Sequence, residues 1–308
     1  MHLPRAAGPD ARTISAGRMA CGIAALLAVV VGSGCQVGDP AAPAMLTPTV
    51  TLSRQNVPLG TPIEMTYRFV VAKDAKFTTN YHVMVHFGDQ QDEQLMYTDD
   101  HDPPTPTTTW KPGQTIEYTR TFFTPTYPYI GTATVEIGLY APGEKLRVPM
   151  AAEDTGHRSY KVATFELQPQ TEGVQTIYKE GFHPVEGATG NGIGWHWTKK
   201  DATLVVAKNP KKDCVFYLDV DNPSDLMGGP QTVSLSLGST MLDEFTVTPT
   251  KSAVLRKIPI PASAWGAADN IELKIAVDKT FVPSAVSQSA RDSRELGIRV
   301  LHAAVVPK

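Results

Sequence analysis

From Ile63 to Phe69 the chain alternates without a break: Ile63, Met65, Tyr67 and Phe69 are apolar, while Glu64, Thr66 and Arg68 are polar. Successive side chains on a strand point to opposite faces, so a period of two marks a ribbon with one dry and one wet face. A ribbon of this kind is stable only when another layer covers its dry face. Similar segments recur at Tyr81–Phe87, Thr115–Phe123 and Thr132–Tyr140, with Lys111-Pro112-Gly113 and Pro125–Gly131 as turn or loop signals between them. Further on, strand-like runs fall at Trp195–Trp197, Ala202–Ala207, Cys214–Val220, Thr232–Leu237, Glu244–Thr248, Ala253–Ile258, Asn270–Val277 and Ile298–Ala304. Proline (25) and glycine (24) punctuate the 308 residues, and no window holds a helical period; Ala262–Trp265 alone reads as a helical turn. Short, regularly spaced strands predict an all-β chain of two tandem β-sandwich domains, immunoglobulin-like or jelly-roll-like.

The amino terminus has a different texture. Arg5, Arg12 and Arg18 precede an apolar stretch from Met19 to Val31, and Gly32-Ser33-Gly34 leads into Cys35. That stretch is too short to be a comfortable transmembrane helix and reads as an export signal. The expected organisation is a lipoprotein-type signal peptide over 1–34, a lipidated Cys35 with a Pro- and Ala-rich tether over 35–47, a first sandwich over 48–167, a linker over 168–176 and a second sandwich over 177–308. Gly32 stands where bacterial lipoprotein signals usually have leucine, so an ordinary secretory signal with an incidental cysteine is the alternative. Acylation with chains such as palmitate would hold the protein on a bacterial envelope membrane, periplasmic or at the cell surface, without spanning it. Cys21 would leave with the signal, so Cys214 would be the one thiol left and no intramolecular disulfide could form. Its run Cys214–Leu218 suits a small buried hydrophobe better than a reactive thiol.

Formal net charge is -3 and the isoelectric point about 6.2, with no basic surplus to neutralise a phosphate backbone. Nucleic acid is therefore excluded as a partner. Three constellations carry chemistry worth weighing. Asp99-Asp100-His101-Asp102 is the densest polar cluster, and His82 and His86, four apart on one strand, share a face. His82, His86, Asp100 and His101 would suit zinc, or calcium with the neighbouring carboxylates, although no EF-hand or HExxH spacing is present. The bland reading is a loop pinned by Asp and His side chains and fixed by the prolines that follow. Trp195 and Trp197 share a face and would form a sugar-stacking platform if exposed, or core if buried. Glu180 and Glu186 lie just upstream, a weak sign of a paired-carboxylate glycosidase. Asp292–Gly297 reads as a charge-paired turn with Gly297 at a close backbone approach. No GxSxG elbow, P-loop or GxGxxG cradle occurs.

Two groups of motifs resemble known modules. The runs HVMVHFGD (82–89), DDHDPPTPTTTW (99–110), KPGQTIEYTRTFFTP (111–125) and IGLY (137–140) resemble a β-sandwich module of uncharacterised bacterial envelope lipoproteins and of the soluble parts of some membrane glycosyltransferases. EGFHPVEG (180–187), GWHWT (194–198), DKTFVPS (278–284) and DSRELGIRV (292–300) are similar to a second sandwich module found beside cell-surface polysaccharide enzymes. The resemblance implies an envelope-polysaccharide setting and a non-catalytic, carbohydrate-binding-like role, and it supplies no catalytic residues. The expected function is a non-catalytic, membrane-anchored envelope protein that binds a glycan or an envelope partner, with no cofactor. The alternatives are a metal-dependent hydrolase acting on envelope polysaccharide and a structural subunit that docks proteins by its sheet edges.

Overall fold

A computed structural model of the protein describes residues 39–91, 94–125, 129–187, 194–249 and 252–308. The predicted signal segment and Cys35 lie outside the described residues. No described helix is long and apolar enough to cross a membrane. The body is all-β, as its alternation requires. In the first half run β1 (Leu46–Leu52), β2 (Asn56–Pro58), β3 (Pro62–Val71), β4 (His82–Asp89), β5 (Leu95–Thr98), β6 (Thr115–Phe123), β7 (Gly131–Tyr140), β8 (Glu153–Gly156) and β9 (Ser159–Gln168). In the second run β10 (Gln175–Phe182), β11 (His196–Ala207), β12 (Cys214–Asp221), β13 (Gln231–Leu237), β14 (Thr240–Val247), β15 (Val254–Ile260), β16 (Ile271–Val277) and β17 (Arg299–Pro307).

The first half is a sandwich of a β1-β3-β6 sheet against a β2-β9-β7-β4-β5 sheet, with β8 added outside β9. The apolar members of the β3 alternation, Ile63, Met65, Tyr67 and Phe69, are all buried between the sheets with Val83, Val85, Phe87, Val135, Ile137 and Phe165. Polar Glu64, Thr66 and Arg68 face outward, as the period of two dictates.

In the second half the ladder is continuous, β14-β13-β16-β11-β17-β12-β15, with β10 beside β11. One strand makes it so. β11 pairs with β17 at His196 and Trp197, then with β16 from Asp201 to Val206, and so serves both layers. The crossing point is tight. A Cβ on Gly297 would stand 2.5 Å from Thr198 Oγ1 and 2.8 Å from the Lys199 carbonyl oxygen, so only glycine lets the two backbones meet there. The sequence alone suggested two strands, 195–197 and 202–207; Lys199, Lys200 and Asp201 interrupt the apolar pattern because they are exposed at the bend of one long strand. The second core contains Leu204, Phe216, Leu218, Leu235, Trp265, Leu273 and Ile298. Cys214 is buried in it, and burial pushes its thiol up to about 11, outside the range of a reactive cysteine.

The two halves meet through polar contacts as much as apolar ones. Glu64 on the outer face of β3 accepts hydrogen bonds from Tyr217 (3.1 Å) on β12 and from Lys257 (2.8 Å) on β15. Phe123, at the end of β6, stacks on His302 of β17 with ring centres 4.1 Å apart.

Candidate functional site

The Asp99–Asp102 segment is an extension of the sheet. His101 exchanges two backbone hydrogen bonds with Val83 (2.8 and 3.0 Å), and the Asp99 amide donates to Val85 (2.9 Å). Strand-like pairing forces alternation, so odd-numbered side chains turn inward and even-numbered ones outward. Inward, Asp99 takes a two-pronged ion pair from Arg120 (3.0 and 3.2 Å). His101 lies edge-on to Tyr67 and Tyr118. Its Nδ1 is 2.8 Å from the Asp99 carbonyl oxygen, which can only accept, so Nδ1 carries the proton and Nε2 accepts from the Tyr118 hydroxyl at 2.9 Å. Outward, Asp102 reaches His82 (2.5 Å), and Asp100 lies 3.8 Å from His86.

The expected metal constellation does not assemble. His82, His86 and Asp100 stand on the outer face, whereas both ring nitrogens of His101 are engaged on the inner one. His82 and His86 stand beside different carboxylates, and among the described residues no group of three or more His, Cys, Asp or Glu could hold a metal ion.

Of the two readings of the tryptophan pair, the geometry of Trp197 matches the buried one. Trp197 is only 8% exposed and packs with Met227, Phe281 and Leu296 in a small satellite core. Trp195 packs against the same cluster, and one face of its ring is covered by the Arg299 guanidinium at 4.6 Å. That guanidinium donates from Nε and Nη2 to the two Asp221 carboxylate oxygens (2.7 and 2.5 Å). Gly187 lies flat on the indole edge, where any Cβ would collide with the ring. The indoles therefore serve packing, because the 195–197 segment forms the start of β11 beneath the 281–299 region. Glu186 and Glu180 do not act as a pair. Glu186 is held by Arg294 (2.5 Å), which Asp292 grips in turn, and that grip holds the Asp292 carboxyl down to about 2. Glu180 is exposed on β10, with Lys179 4.0 Å away.

What the outer face of the first sandwich does offer is a trough. Facing register positions place Thr98 of β5, His86 of β4, Glu136 of β7, Lys161 of β9 and Glu153 of β8 in one row across the sheet. Two depressions meet at His86. One, of about 610 Å³, is lined by Thr134, Glu136, Ser159 and Lys161 among others. The other, of about 430 Å³, is lined by Asp100, Tyr140, Glu144 and Arg147. Ser159 donates to Glu136 (2.7 Å), not to an imidazole, so it is not set up as a nucleophile. His82 tilts over Tyr140 at 5.3 Å. Gly138 lies close behind two lining residues of the second depression: a Cβ there would press on the Arg147 side chain (3.0 Å), the Arg158 carbonyl oxygen (3.2 Å) and Met84 (3.2 Å). Burial lowers the His86 imidazole below its ordinary range, with Asp100 opposing that shift. The row offers hydroxyl, imidazole, carboxylate and ammonium groups side by side, an array suited to hydrogen-bonding a polar chain laid across it. Sequence reasoning reached His82, His86 and Asp100 but missed Glu136, Lys161 and Ser159. The alternation in TATVEIGLY signals that Glu136 faces outward, but the strand that brings Lys161 beside it was not read.

Two outcomes follow from this geometry. Burial lowers the His101 imidazole, so the unfolded chain binds more protons than the folded one near the ordinary imidazole range. Stability is then full above that range and falls as pH drops through it. Thermal melts at stepped pH should show this loss, and His101→Gln, which cannot titrate, should flatten it; an unchanged slope would refute the assignment. Trp197→Ala should lower stability by about 3–5 kcal/mol in denaturant melts, as expected for a truncated core aromatic.

No protein-family model matches the chain, and no curated protein matches it. Solved structures similar to it include a family 35 carbohydrate binding module from an environmental isolate, 13% identical, with a TM-score of 0.27 over 44% of this chain and 93% of that one. Another is the N-terminal CBM22-1-CBM22-2 tandem domain of Paenibacillus barcinonensis Xyn10C, 7% identical, with a TM-score of 0.29 over 87% of this chain and 93% of that one. Bacteroides uniformis β-glucuronidase is 8% identical, with a TM-score of 0.27 over 85% of this chain and 30% of that one. Likeness at these scores fixes neither fold nor ligand for this protein, whose all-β sandwich character rests on its own strands and cores.

Proposed function

We propose that this protein is a non-catalytic envelope lipoprotein that binds an extended glycan along the trough of its first sandwich. The observation that carries the reading is the five-strand row Thr98–His86–Glu136–Lys161–Glu153, with its two depressions joined at His86. A glycan chain presents hydroxyls at short, regular intervals and needs many side-chain donors and acceptors within reach, which this row supplies. A peptide strand would instead seek unpaired backbone at a sheet edge, and an amphipathic helix would seek an apolar groove. Carboxylates of Asp100, Glu136, Glu144 and Glu153 along the trough oppose a nucleic-acid backbone. The amino-terminal pattern that ends at Cys35 supports export and lipid anchoring, and the Pro- and Ala-rich stretch after it would let the body stand off the membrane.

Calorimetric titration of the purified protein with fractionated envelope polysaccharide tests the binding. His86→Ala combined with Glu136→Ala should weaken it by roughly tenfold or more, with the far-ultraviolet circular dichroism of the folded protein retained. Equal affinity in the double variant would remove the trough from the reading. Cys35→Ser should move the protein from the membrane to the soluble fraction after cell breakage; retention on the membrane would refute the anchor.

A further inference from the structure

A second cavity lies away from the trough, between the two sandwiches. Its volume is about 590 Å³, within the usual range of small-ligand sites. Tyr97, Asp99, Arg120 and Phe123 form the wall from the first sandwich, and Asp219 and His302 form the wall from the second. Each wall carries one polar pair. Arg120 grips Asp99 through Nε and Nη2, and His302 Nδ1 lies 3.1 Å from Asp219 Oδ2. The pairs leave part of their capacity unspent: further guanidinium N–H groups, the second carboxylate oxygen of Asp219, and Nε2 of His302. Phe123 and His302 stack on each other, 4.1 Å apart with planes 10° from parallel, so the two walls touch there and the stacked rings border the cleft between the pairs.

We infer that this cleft is a binding site for an uncharged sugar ring, a mono- or disaccharide unit, separate from the glycan trough. Charge decides the class. Asp99 is matched by Arg120, and Asp219 is hydrogen-bonded to His302, so the walls offer no unmatched cation to an anionic ligand and only one already-engaged carboxylate to a cationic one. Planar, part-satisfied donors and acceptors on both walls, bordered by the stacked rings, suit a neutral ligand with hydroxyls around its rim. Because the walls come from both sandwiches, a bound ring would also bridge them next to the Glu64 contacts with Tyr217 and Lys257.

The test is calorimetry on the full-length protein with methyl glycosides of glucose, galactose, mannose and N-acetylglucosamine, followed by hydrogen–deuterium exchange with the best of them. At least one should bind with a dissociation constant on the order of 1 mM. Exchange should slow at 97–99, 120–124, 219 and 301–302. Asp219→Asn, which keeps a partner for His302, and Arg120→Lys, which keeps the charge but loses the fork, should each weaken binding roughly tenfold. Glu136→Ala in the trough should leave it unchanged. Binding that survives both cleft variants, or none of the four glycosides binding the wild-type protein, overturns the inference. Binding lost in Glu136→Ala and kept in Asp219→Asn would overturn it too, while leaving the trough reading intact.

Discussion

Backbone pairing between residues 99–101 and β4 governs what the first sandwich can do. Once Val83 and His101 exchange hydrogen bonds, the side chains that follow β5 have no choice of face. Asp99 and His101 go inward, where an ion pair to Arg120 and a bond to the Tyr118 hydroxyl tie the β4–β5 side of one sheet to β6 of the other. Asp100 and Asp102 go outward, Asp102 to His82 and Asp100 to a position 3.8 Å from His86. Slipping this pairing by one residue would put two carboxylates into the core and an imidazole into solvent. Burying an unpaired charge is costly enough to forbid that register.

The fold class was legible because burial on a sheet imposes a period of two, and Ile63–Phe69 displays it fully. What escaped were segments where burial is not one-sided. β9 shows half-buried residues on four consecutive positions, so burial along it does not alternate cleanly. β1, β2, β5, β8 and β10 were likewise unread, being short, edge-placed or largely polar. At the site, the Asp99–Asp102 cluster was visible as composition, but its split into two faces depends on a partner strand and is invisible in a linear reading. Trp195 and Trp197 were placed on one face, as they are; which layer would cover that face depends on the 281–299 region, about a hundred residues downstream.

The two sandwiches are built on different economies of contact. Each core is apolar and sealed, while the ground between them is held by Glu64, Tyr217, Lys257, Phe123 and His302. Polar interfaces of this sort permit relative motion more readily than apolar ones. That is also why the cavity between the halves retains charged walls: a fully apolar junction would have closed over it.

The position of β1 has a mechanical consequence. It is the first strand after the tether and is paired along its whole length with β3, from Leu46 opposite Val71 to Leu52 opposite Met65. If the protein is held at Cys35 and a glycan lies in the trough, tension between membrane and glycan passes through β1 and the first sandwich alone. A pull along the strand would load its ladder in shear, so that the hydrogen bonds share the force rather than opening one after another. The second sandwich would hang outside the line of force, and its fold and the cleft beside it would be spared the strain.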